Sequence, residues 1–522
     1  MSTCAGETLE ADVAVIGMGP VGATLANILG RRGVSVVAVD RDRNVHDRPR
    51  AVVLDHEAMR LFQNAGFVEK VLPHTVIFDR SVYLGPGGRM IKQLVTKPAP
   101  WALGWCPNYL FSQPAVDQVL REEAAARDNV EVRLGVEVVA SVEESEGIRL
   151  ETRDGSGTRG EIRARYAVAC DGGASPTRRR LGIGFHDLDF DEPWIVVDAL
   201  VDPAHLANLP ATNVQYCEPE RPGTHVIGPG THRRWEIMLL PGEDPAEMQK
   251  EENIWRLLAR WIDPSNARLW RAAAYRFHAL VAKEWQRGRT ILAGDAAHMT
   301  PPFLGQGMCQ GLRDAANLAW KLEMVLHHGV AAERLLPTYE TERAPHVRHT
   351  TEVAKALGRM ICERDPEKAA ARDAQMLAVG EGRIEYRQDL IPGLQDGLLS
   401  RRGGMAVGQL FPQPKVHVDG RELLLDETTG IGFRLICADP EIVPAAVDQR
   451  IARLGLRIAA LGTQGAAHRI DEREGILAQW FADTGCRAAL VRPDHYVFGT
   501  AGTRQDAEAL TAELAAGIFG ER

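Results

Sequence analysis

The sequence predicts an α/β protein: a parallel sheet flanked by helices, an antiparallel sheet inserted into it, and a small α/β domain toward the C-terminal end. Three observations carry this. A strand–glycine turn–helix unit stands near the N-terminus. Strand-like runs broken by Pro and Gly fill the middle. Strands alternate with helical runs after about residue 376. At 522 residues the chain is too long for one core, so two or three domains are expected.

Hydrophobic residues make up 45% and charged residues 25%, the composition of an ordinary folded protein. The net charge of −9 comes from 61 basic and 70 acidic residues with no basic stripe, which argues against a nucleic-acid partner. The opening MSTCAGETLEAD is polar and acidic, without a leader pattern, and no apolar run is long enough to span a bilayer. No membrane association and a cytoplasmic location are expected. The cysteines, from Cys4 to Cys486, are scattered with no C-x-x-C pair, so neither a metal site nor a dithiol centre is expected.

The first element is the run ADVAVIGMGPVGATLANILGRRGVSVVAVDRD. Val13 to Ile16 is an apolar strand. Gly17, Gly19 and Gly22 follow in G-x-G-x-x-G spacing, a helix starts at Pro20 and runs to about Arg32, and a second strand ends in Asp40. Gly17 permits the tight turn, Gly19 lets a pyrophosphate approach the backbone, and Gly22 lets the helix pack close to the sheet. The helix N-terminus offers free N–H groups to that pyrophosphate, and Asp40 stands near the offset of a ribose-binding acid. This is a Rossmann-like unit. GSGTRG, residues 155–160, has the same spacing, but a strand-like run follows it instead of a helix, so it reads as a hairpin turn. One nucleotide site and no separate nicotinamide domain are expected.

Two later segments repeat the strand-to-turn pattern. Tyr166 to Cys170 is a strand running into Asp171-Gly172-Gly173, with Ser175, Thr177 and Arg178 opening a helix. Thr290 to Ala293 is a short buried strand closed by Gly294-Asp295, which places a carboxylate at a strand's C-terminal end, where α/β sheets bind ligands. Pro301 and Pro302 keep the next loop from being helix. Gly305 and Gly307 let the chain pass a flat ligand closely. From about Met308, apolar residues at Leu312, Ala315, Ala316, Leu318, Ala319 and Leu322 mark an amphipathic helix. A sugar-binding acid, a glycine track and a helix start suit a dinucleotide whose far end becomes anionic. A partly buried helix N-terminus stabilises such charge by up to about 2 kcal/mol.

PWIVVDALV, NVQYCEPE and RRWEIMLLP predict a mainly antiparallel sheet over about 186–289. There Arg233 or Arg234 is either a carboxylate-binding fork or part of a solvated strand face. Past it, ERDPEKAAARDAQ is charged and GLQDGLLSRRGGMAVGQLFPQP is rich in Gly and Pro. FRLICADP, LRIAALGTQ, GILAQWFADTG and RAALVRPDHYVFGTA then alternate strand and helix character.

With these motifs in hand, the chain resembles a group A flavin-dependent aromatic hydroxylase. The G-x-G-x-x-G, D-G (Asp171, Gly172) and G-D (Gly294, Asp295) segments carry the resemblance. PRA at 49–51, Gln113-Pro114 with Asp117, WIVVD at 194–198 and VRPD at 491–494 point to the branch that acts on 3-(3-hydroxyphenyl)propionate. The resemblance implies a glutathione-reductase-type FAD-binding domain over 1–75, 110–185 and 290–375. It further implies a substrate domain over 76–109 and 186–289, a linker over 376–415, and a thioredoxin-like domain without a redox pair over 416–522. It implies FAD, NADH or NADPH as donor, O2 and a small phenolic substrate, and leaves room for a homodimer.

Residue by residue, the resemblance assigns Asp40 to the adenosine ribose, with Arg41 and Pro20 beside it. Asp171 goes near the pyrophosphate, and Asp295 to the ribityl chain or pyrophosphate. Pro302, Gly305, Gly307, Met308 and Cys309 go along the flavin ring. Arg50 is an FAD contact or a surface cation, and Gln113 an FAD contact or a helix-start residue. Met18 inside the glycine turn and Cys309, where many relatives have Asn, depart from the family pattern.

In this family the protein supplies placement, water exclusion and phenol activation, while the flavin carries the oxygen chemistry. A base drawing off the phenol proton would raise ring nucleophilicity. Candidates are His298, Tyr216, His225 and His232. The expected reaction is hydroxylation of a phenol resembling 3-hydroxyphenylpropionate, ortho to its hydroxyl. A polyketide or antibiotic aromatic is the alternative substrate, and a non-catalytic flavin module the alternative class. A flavin halogenase is disfavoured because Trp101 and Trp105 do not form W-x-W-x-x-P.

Overall fold

The structure, a computed structural model, describes residues 7–379, 383–386, 391–462 and 469–521. Cys4, and Thr463 and Gln464 of the run LRIAALGTQ, lie outside them. Thr8–Ile16 forms the middle of the first sheet. Its run Val13 to Ile16 is buried on both faces, as a parallel strand covered on both sides must be. It pairs in parallel with Val36–Asp40 on one side and Arg159–Ala169 on the other. Val130–Leu134 and Thr290–Leu292 extend the two flanks, also in parallel. The helices Pro20–Arg31, Gln113–Ala125 and Gly307–His327 pack side by side in the same core. The sequence 155–160 turns between Ile148–Asp154 and Arg159–Ala169, and Asp154 N–H donates to Thr158 O at 3.0 Å. It is the hairpin its alternation predicts.

The second sheet orders its described strands His298–Met299, Ala267–Ala282, Phe185–Val201, His232–Met238, Gly223–Ile227, Asn213–Tyr216, Arg80–Leu84, Met90–Thr96 and Arg383–Tyr386. It is antiparallel except where Asn213–Tyr216 meets Arg80–Leu84 and Arg383–Tyr386 meets Met90–Thr96. The stretch 376–415, expected as a linker, therefore contributes a strand to this sheet. One face is apolar: Ile195, Val197, Trp235 and Ile237 bury themselves against Ile254 and Leu258 of the helix Glu251–Leu258. Strand periodicity sends the alternate residues to the opposite face, toward the parallel sheet.

A distinct C-terminal domain holds a five-stranded sheet: Arg469–Ile470, Arg457–Leu461, Arg434–Cys437, Ala488–Val491 and Val497–Ala501. The first three run in parallel, Ala488–Val491 runs antiparallel to Arg434–Cys437, and Val497–Ala501 turns back antiparallel to Ala488–Val491. The helix Arg504–Phe519 packs on it. Its core is continuous with that of the first domain, where Trp320 meets Phe433 edge-on at 5.7 Å. Charge joins them as well. Arg60 donates to Asp426 at 2.7 and 2.9 Å, Arg492 to Glu342 at 2.7 and 3.0 Å, and all four side chains are fully buried. The described cysteines are all unpaired, and no metal-binding cluster occurs among the described residues. No described helix is long and apolar enough to cross a membrane.

Candidate active site

A cavity of about 1070 Å³ opens between the ends of the parallel strands and the polar face of the second sheet. At one end lies the glycine turn. Gly17 has φ +102°, and a Cβ there would come within 2.5 Å of the Cys170 carbonyl oxygen. A Cβ on Gly22 would come within 1.8 Å of the Gly17 oxygen, so the helix Pro20–Arg31 packs as closely as its glycine allows. Gly19 differs: a Cβ there would meet nothing within 4 Å, because the position faces the cavity. Asp40 accepts from Met18 N–H at 2.7 Å, Asp42 N–H at 2.8 Å and Arg121 Nη2 at 3.1 Å, while Arg121 Nε donates to Met18 O. The acid at the strand end thus braces the turn as well as facing the cavity, with Pro20 and Arg41 beside it.

The two later motifs meet the first across the cavity. Asp171 and Gly172 line it, and Asp171 accepts from Ser175 Oγ and from Thr177 N–H at 3.0 Å, capping the short helix Pro176–Arg180. Arg178 donates from Nη1 to Gly173 O and Ala296 O, both at 3.1 Å, and so ties the D-G turn to the G-D turn. Asp295 exposes its carboxylate to the cavity and accepts no hydrogen bond from a described residue. Its surroundings enclose it, and that burial pushes its carboxyl upward against the pull of His298 and Arg50. Pro302, Gly305, Gly307 and Met308 form the wall beyond. The first intrahelical bond of Gly307–His327 is Gln310 N–H to Gln306 O at 2.8 Å, so the N–H groups of Gly307, Met308 and Cys309 are free of the helix ladder.

Gln113 supports the wall from behind. Its Oε1 accepts from both Arg50 and Ala51 N–H at 2.7 Å, and its Nε2 reaches Asp117 at 3.2 Å. The Arg50 side chain is exposed and lines the cavity. Burial pushes the Asp117 carboxyl up to about 7. Asp117 Oδ1 and Arg121 Nη1 are buried cavity-wall atoms with no hydrogen-bond partner.

Several expected residues stand elsewhere. His298 is buried, and its Nε2 lies 2.7 Å from Asp314, which also accepts from Gly294 N–H at 3.0 Å and Arg343 Nε at 2.9 Å. It braces the G-D turn from behind and does not reach the cavity. Tyr216 and His225 fail for a strand reason. Gln215 and Thr224 face the cavity, so their chain neighbours point to the apolar side, where Tyr216 meets Trp261 and His225 meets Trp235. His232 is bound to Asp198 at 2.7 Å. The four candidate bases are therefore corrected: none lines the cavity. Cys309 turns its thiol to Val53 O at 3.8 Å and does not line the cavity, where the resemblance had put it along the flavin ring. Gly22 and Gly294 shape turns without lining the space. Arg234 spends its guanidinium on Asp198 and the carbonyls of Pro49 and Arg50, and Arg233 Nη1 on the carbonyls of Gly228, Gly230 and His232. Neither is a free fork.

Sequence reading missed a buried cluster under the wall formed by Pro302, Gly305, Gly307 and Met308. Arg313 donates to Asp55 at 2.5 Å, to Glu57 at 2.5 Å and to Gln306 at 2.9 Å, and Tyr496 of the C-terminal domain reaches Glu57 at 3.2 Å. The signal was present as an Arg-Asp pair, 313–314, in the middle of an otherwise buried helix face.

A protein-family model described as "FAD binding domain" matches residues 10–354, and one described as "HcaD C-terminal domain" matches 408–517. The chain belongs to the FAD-dependent aromatic hydroxylases. It is 36% identical over 515 residues to a probable NADH-specific resorcinol 4-hydroxylase of Rhodococcus jostii (strain RHA1), covering 97% of this hydroxylase and 95% of that one. It is 33% identical over 513 residues to the 3-(3-hydroxy-phenyl)propionate/3-hydroxycinnamic acid hydroxylase of Escherichia coli (strain K12), covering 94% and 91%. Among solved structures, the flavin-dependent monooxygenase PieE with FAD and substrate aligns at a TM-score of 0.81 with 20% identity, covering 98% and 100%. Aklavinone-11 hydroxylase with FAD and aklavinone aligns at 0.79 with 22% identity, covering 97% and 99%. The protein is a flavin-dependent aromatic monooxygenase with FAD as its cofactor. The cavity fits that group: an open Gly19 at a helix start, a cavity-facing Asp295 without a donor, and unpartnered Asp117 and Arg121 atoms.

Proposed function

We propose that this hydroxylase uses NADH to hydroxylate a single-ring phenol carrying an acidic side chain, of the 3-hydroxyphenylpropionate type, ortho to its hydroxyl. The observation that carries the reading is Lys92. It lines the cavity, is half-buried, and has no carboxylate partner among the described residues. Burial pushes its ammonium below its ordinary value, so an anionic ligand that restores the charge would be favoured. The relatives named for resorcinol and for 3-(3-hydroxy-phenyl)propionate support a phenolic ring, and the first of these supports NADH.

When bound, FAD would supply the redox and oxygen-activating chemistry, with the nicotinamide as electron donor. In this reading, the chain's own residues do the rest. The helix start behind Gly19 and the D-G turn hold the pyrophosphate, Asp40 the adenosine ribose, and Asp295 the ribityl hydroxyls. The free N–H groups from Gly307 onward face the ring edge that gains negative charge. Phe303, packed edge-on against Trp194 at 5.7 Å, keeps water from the ring side. The first domain is read as the glutathione-reductase type. The C-terminal domain is read as thioredoxin-like, because parallel strands continue into antiparallel pairings without a dithiol.

The test is a phenol panel on the FAD-loaded enzyme, with NADH or NADPH loss and hydroxylated product followed together. Resorcinol, 3-(3-hydroxyphenyl)propionate and a polycyclic phenol form the panel. Product from the acidic phenol with NADH is expected. NADH consumption without product from every member defeats the hydroxylase reading, and product from the polycyclic phenol alone moves the substrate class.

A further inference from the structure

Five residues stand in one line across the polar face of the second sheet. By strand register Lys92 lies opposite Tyr83, Tyr83 opposite Gln215, Gln215 opposite Thr224, and Thr224 opposite Glu236. All five line the cavity. Four strand spacings separate the ends, or about 19 Å between Cα positions. The line begins in an ammonium and ends in a carboxylate. In its middle Thr224 donates to Gln215 Oε1 at 2.6 Å.

The Glu236 carboxylate is different: it accepts no hydrogen bond from any described residue. Its nearest cation, Arg234, stands 3.7 Å away, beyond hydrogen-bond reach, and is committed to Asp198 and two backbone carbonyls. Two contacts place it beside the flavin-ring wall. Val196, its partner on the other side, is two residues from Trp194, whose ring meets Phe303 of the 301–307 loop. Arg234 holds the carbonyls of Pro49 and Arg50, and that segment leads to Val53, which packs on Gly305.

We propose that Glu236 is a catalytic residue that accepts the phenol proton, and that the line from Glu236 to Lys92 orients the substrate, hydroxyl toward the carboxylate and acidic tail toward the ammonium. This rests on the acidic-phenol reading above. In the step, the phenol O–H bond breaks and the proton bonds to a Glu236 carboxylate oxygen. The electron pair stays on the phenol oxygen and flows into the ring, and the carboxylate becomes a neutral acid. The same proton returns to a product oxygen, so Glu236 is regenerated. Burial raises the carboxyl above its ordinary value, with Arg234 and Arg271 opposing and Asp198 adding to the rise. That shift brings the base closer in strength to a phenol. The charged groups facing it are Arg234 on its own strand, Asp198 and Arg271 from the next two strands, and Lys92 at the far end of the row. Thr224 and Gln215 between them are neutral.

The experiment compares wild type, Glu236→Gln and Glu236→Asp as FAD-loaded enzymes, with resorcinol and 3-(3-hydroxyphenyl)propionate as probes. Glu236→Gln should bind FAD as wild type does and form product about 100-fold more slowly. Its rate should climb with pH as the phenol itself ionises, while wild type loses activity only as Glu236 protonates at lower pH. Glu236→Asp should restore part of the rate. A wild-type rate and pH profile in Glu236→Gln overturns the assignment, as does a loss that no pH relieves. If Glu236→Gln loses its flavin, Glu236→Asp decides: a displaced pH midpoint supports the assignment and an unchanged profile overturns it. Failure of the wild-type enzyme to hydroxylate either phenol is a separate result, visible without any variant. It overturns the substrate reading and this assignment with it.

Discussion

Gly19 and Gly22 sit three residues apart, and alanine should act oppositely at the two. At Gly19 the backbone is extended, φ −70° and ψ −175°, which any residue adopts, and the added methyl would meet no protein atom within 4 Å. Gly19→Ala should therefore leave the stability of the cofactor-free protein within about 0.5 kcal/mol of wild type. The methyl, however, would occupy the ground a phosphate oxygen needs in front of the helix N–H groups. Losing one charge-assisted hydrogen bond costs about 1.5–3 kcal/mol, which is roughly 10- to 150-fold in the Kd for FAD. At Gly22 the methyl would lie 1.8 Å from Gly17 O and 3.0 Å from Gly17 C, backbone atoms that cannot swing aside. The helix must shift, and Gly22→Ala should cost at least about 1–3 kcal/mol before any FAD is added. Denaturant unfolding of both apoproteins and FAD titration followed by flavin fluorescence separate the two effects. Wild-type FAD affinity in Gly19→Ala would refute the placement of the pyrophosphate at this helix start.

Four further outcomes follow from the same geometry. Lys92→Met should raise the KM for 3-(3-hydroxyphenyl)propionate about 10- to 100-fold and leave resorcinol unaffected, because only the acid can use the ammonium; equal effects on both would remove Lys92 from recognition. His298→Gln, which can still donate to Asp314, should keep the wild-type pH profile of product formation even if stability drops by about 1–2 kcal/mol, and a lost pH limb would restore His298 as the base. Tyr496→Phe should cost about 1 kcal/mol in denaturant unfolding by deleting the bond to Glu57, and no change at all would mean that the bond contributes nothing to docking of the C-terminal domain. Burial alone would raise Glu342, but Arg492 and Lys321 outweigh it and hold the carboxyl at about 2, below its ordinary 4.5. Stability from this group is thus complete above pH 4.5 and disappears as pH falls toward 2. Hydrogen exchange should show the strands Ala488–Val491 and Val497–Ala501 losing protection in that window, and full protection near pH 2 would contradict the linkage.

The turns at one end of the cavity were readable in the chain because their signals are local. A positive φ at Gly17 and a helix that closes on Gly22 need particular residues at particular offsets, wherever the rest of the protein goes. The contrast between the N-terminal glycine motif and 155–160 was equally local, since only one of them has a helix behind it. Tyr216 and His225 failed because residue type says nothing about which face of a strand a side chain takes, and His298 and His232 because each is committed to a buried carboxylate, Asp314 and Asp198. Tyr216 and Gln215 are neighbours in sequence and opposites in the sheet.

By itself, then, the sequence determined the glycine and Asp-Gly turns, the order of the sheets and, through its motifs, the cofactor, because backbone conformations at Gly and Pro and the period of apolar residues are short-range properties. Only the tertiary structure decided which polar residues share the cavity. Lys92 and Glu236 are far apart along the chain, and they fall into one row through four strand pairings whose register depends on which faces each strand can bury. The same holds for Arg60 with Asp426 and Arg492 with Glu342: distant charges tolerate complete burial only when packing brings opposite charges into direct contact.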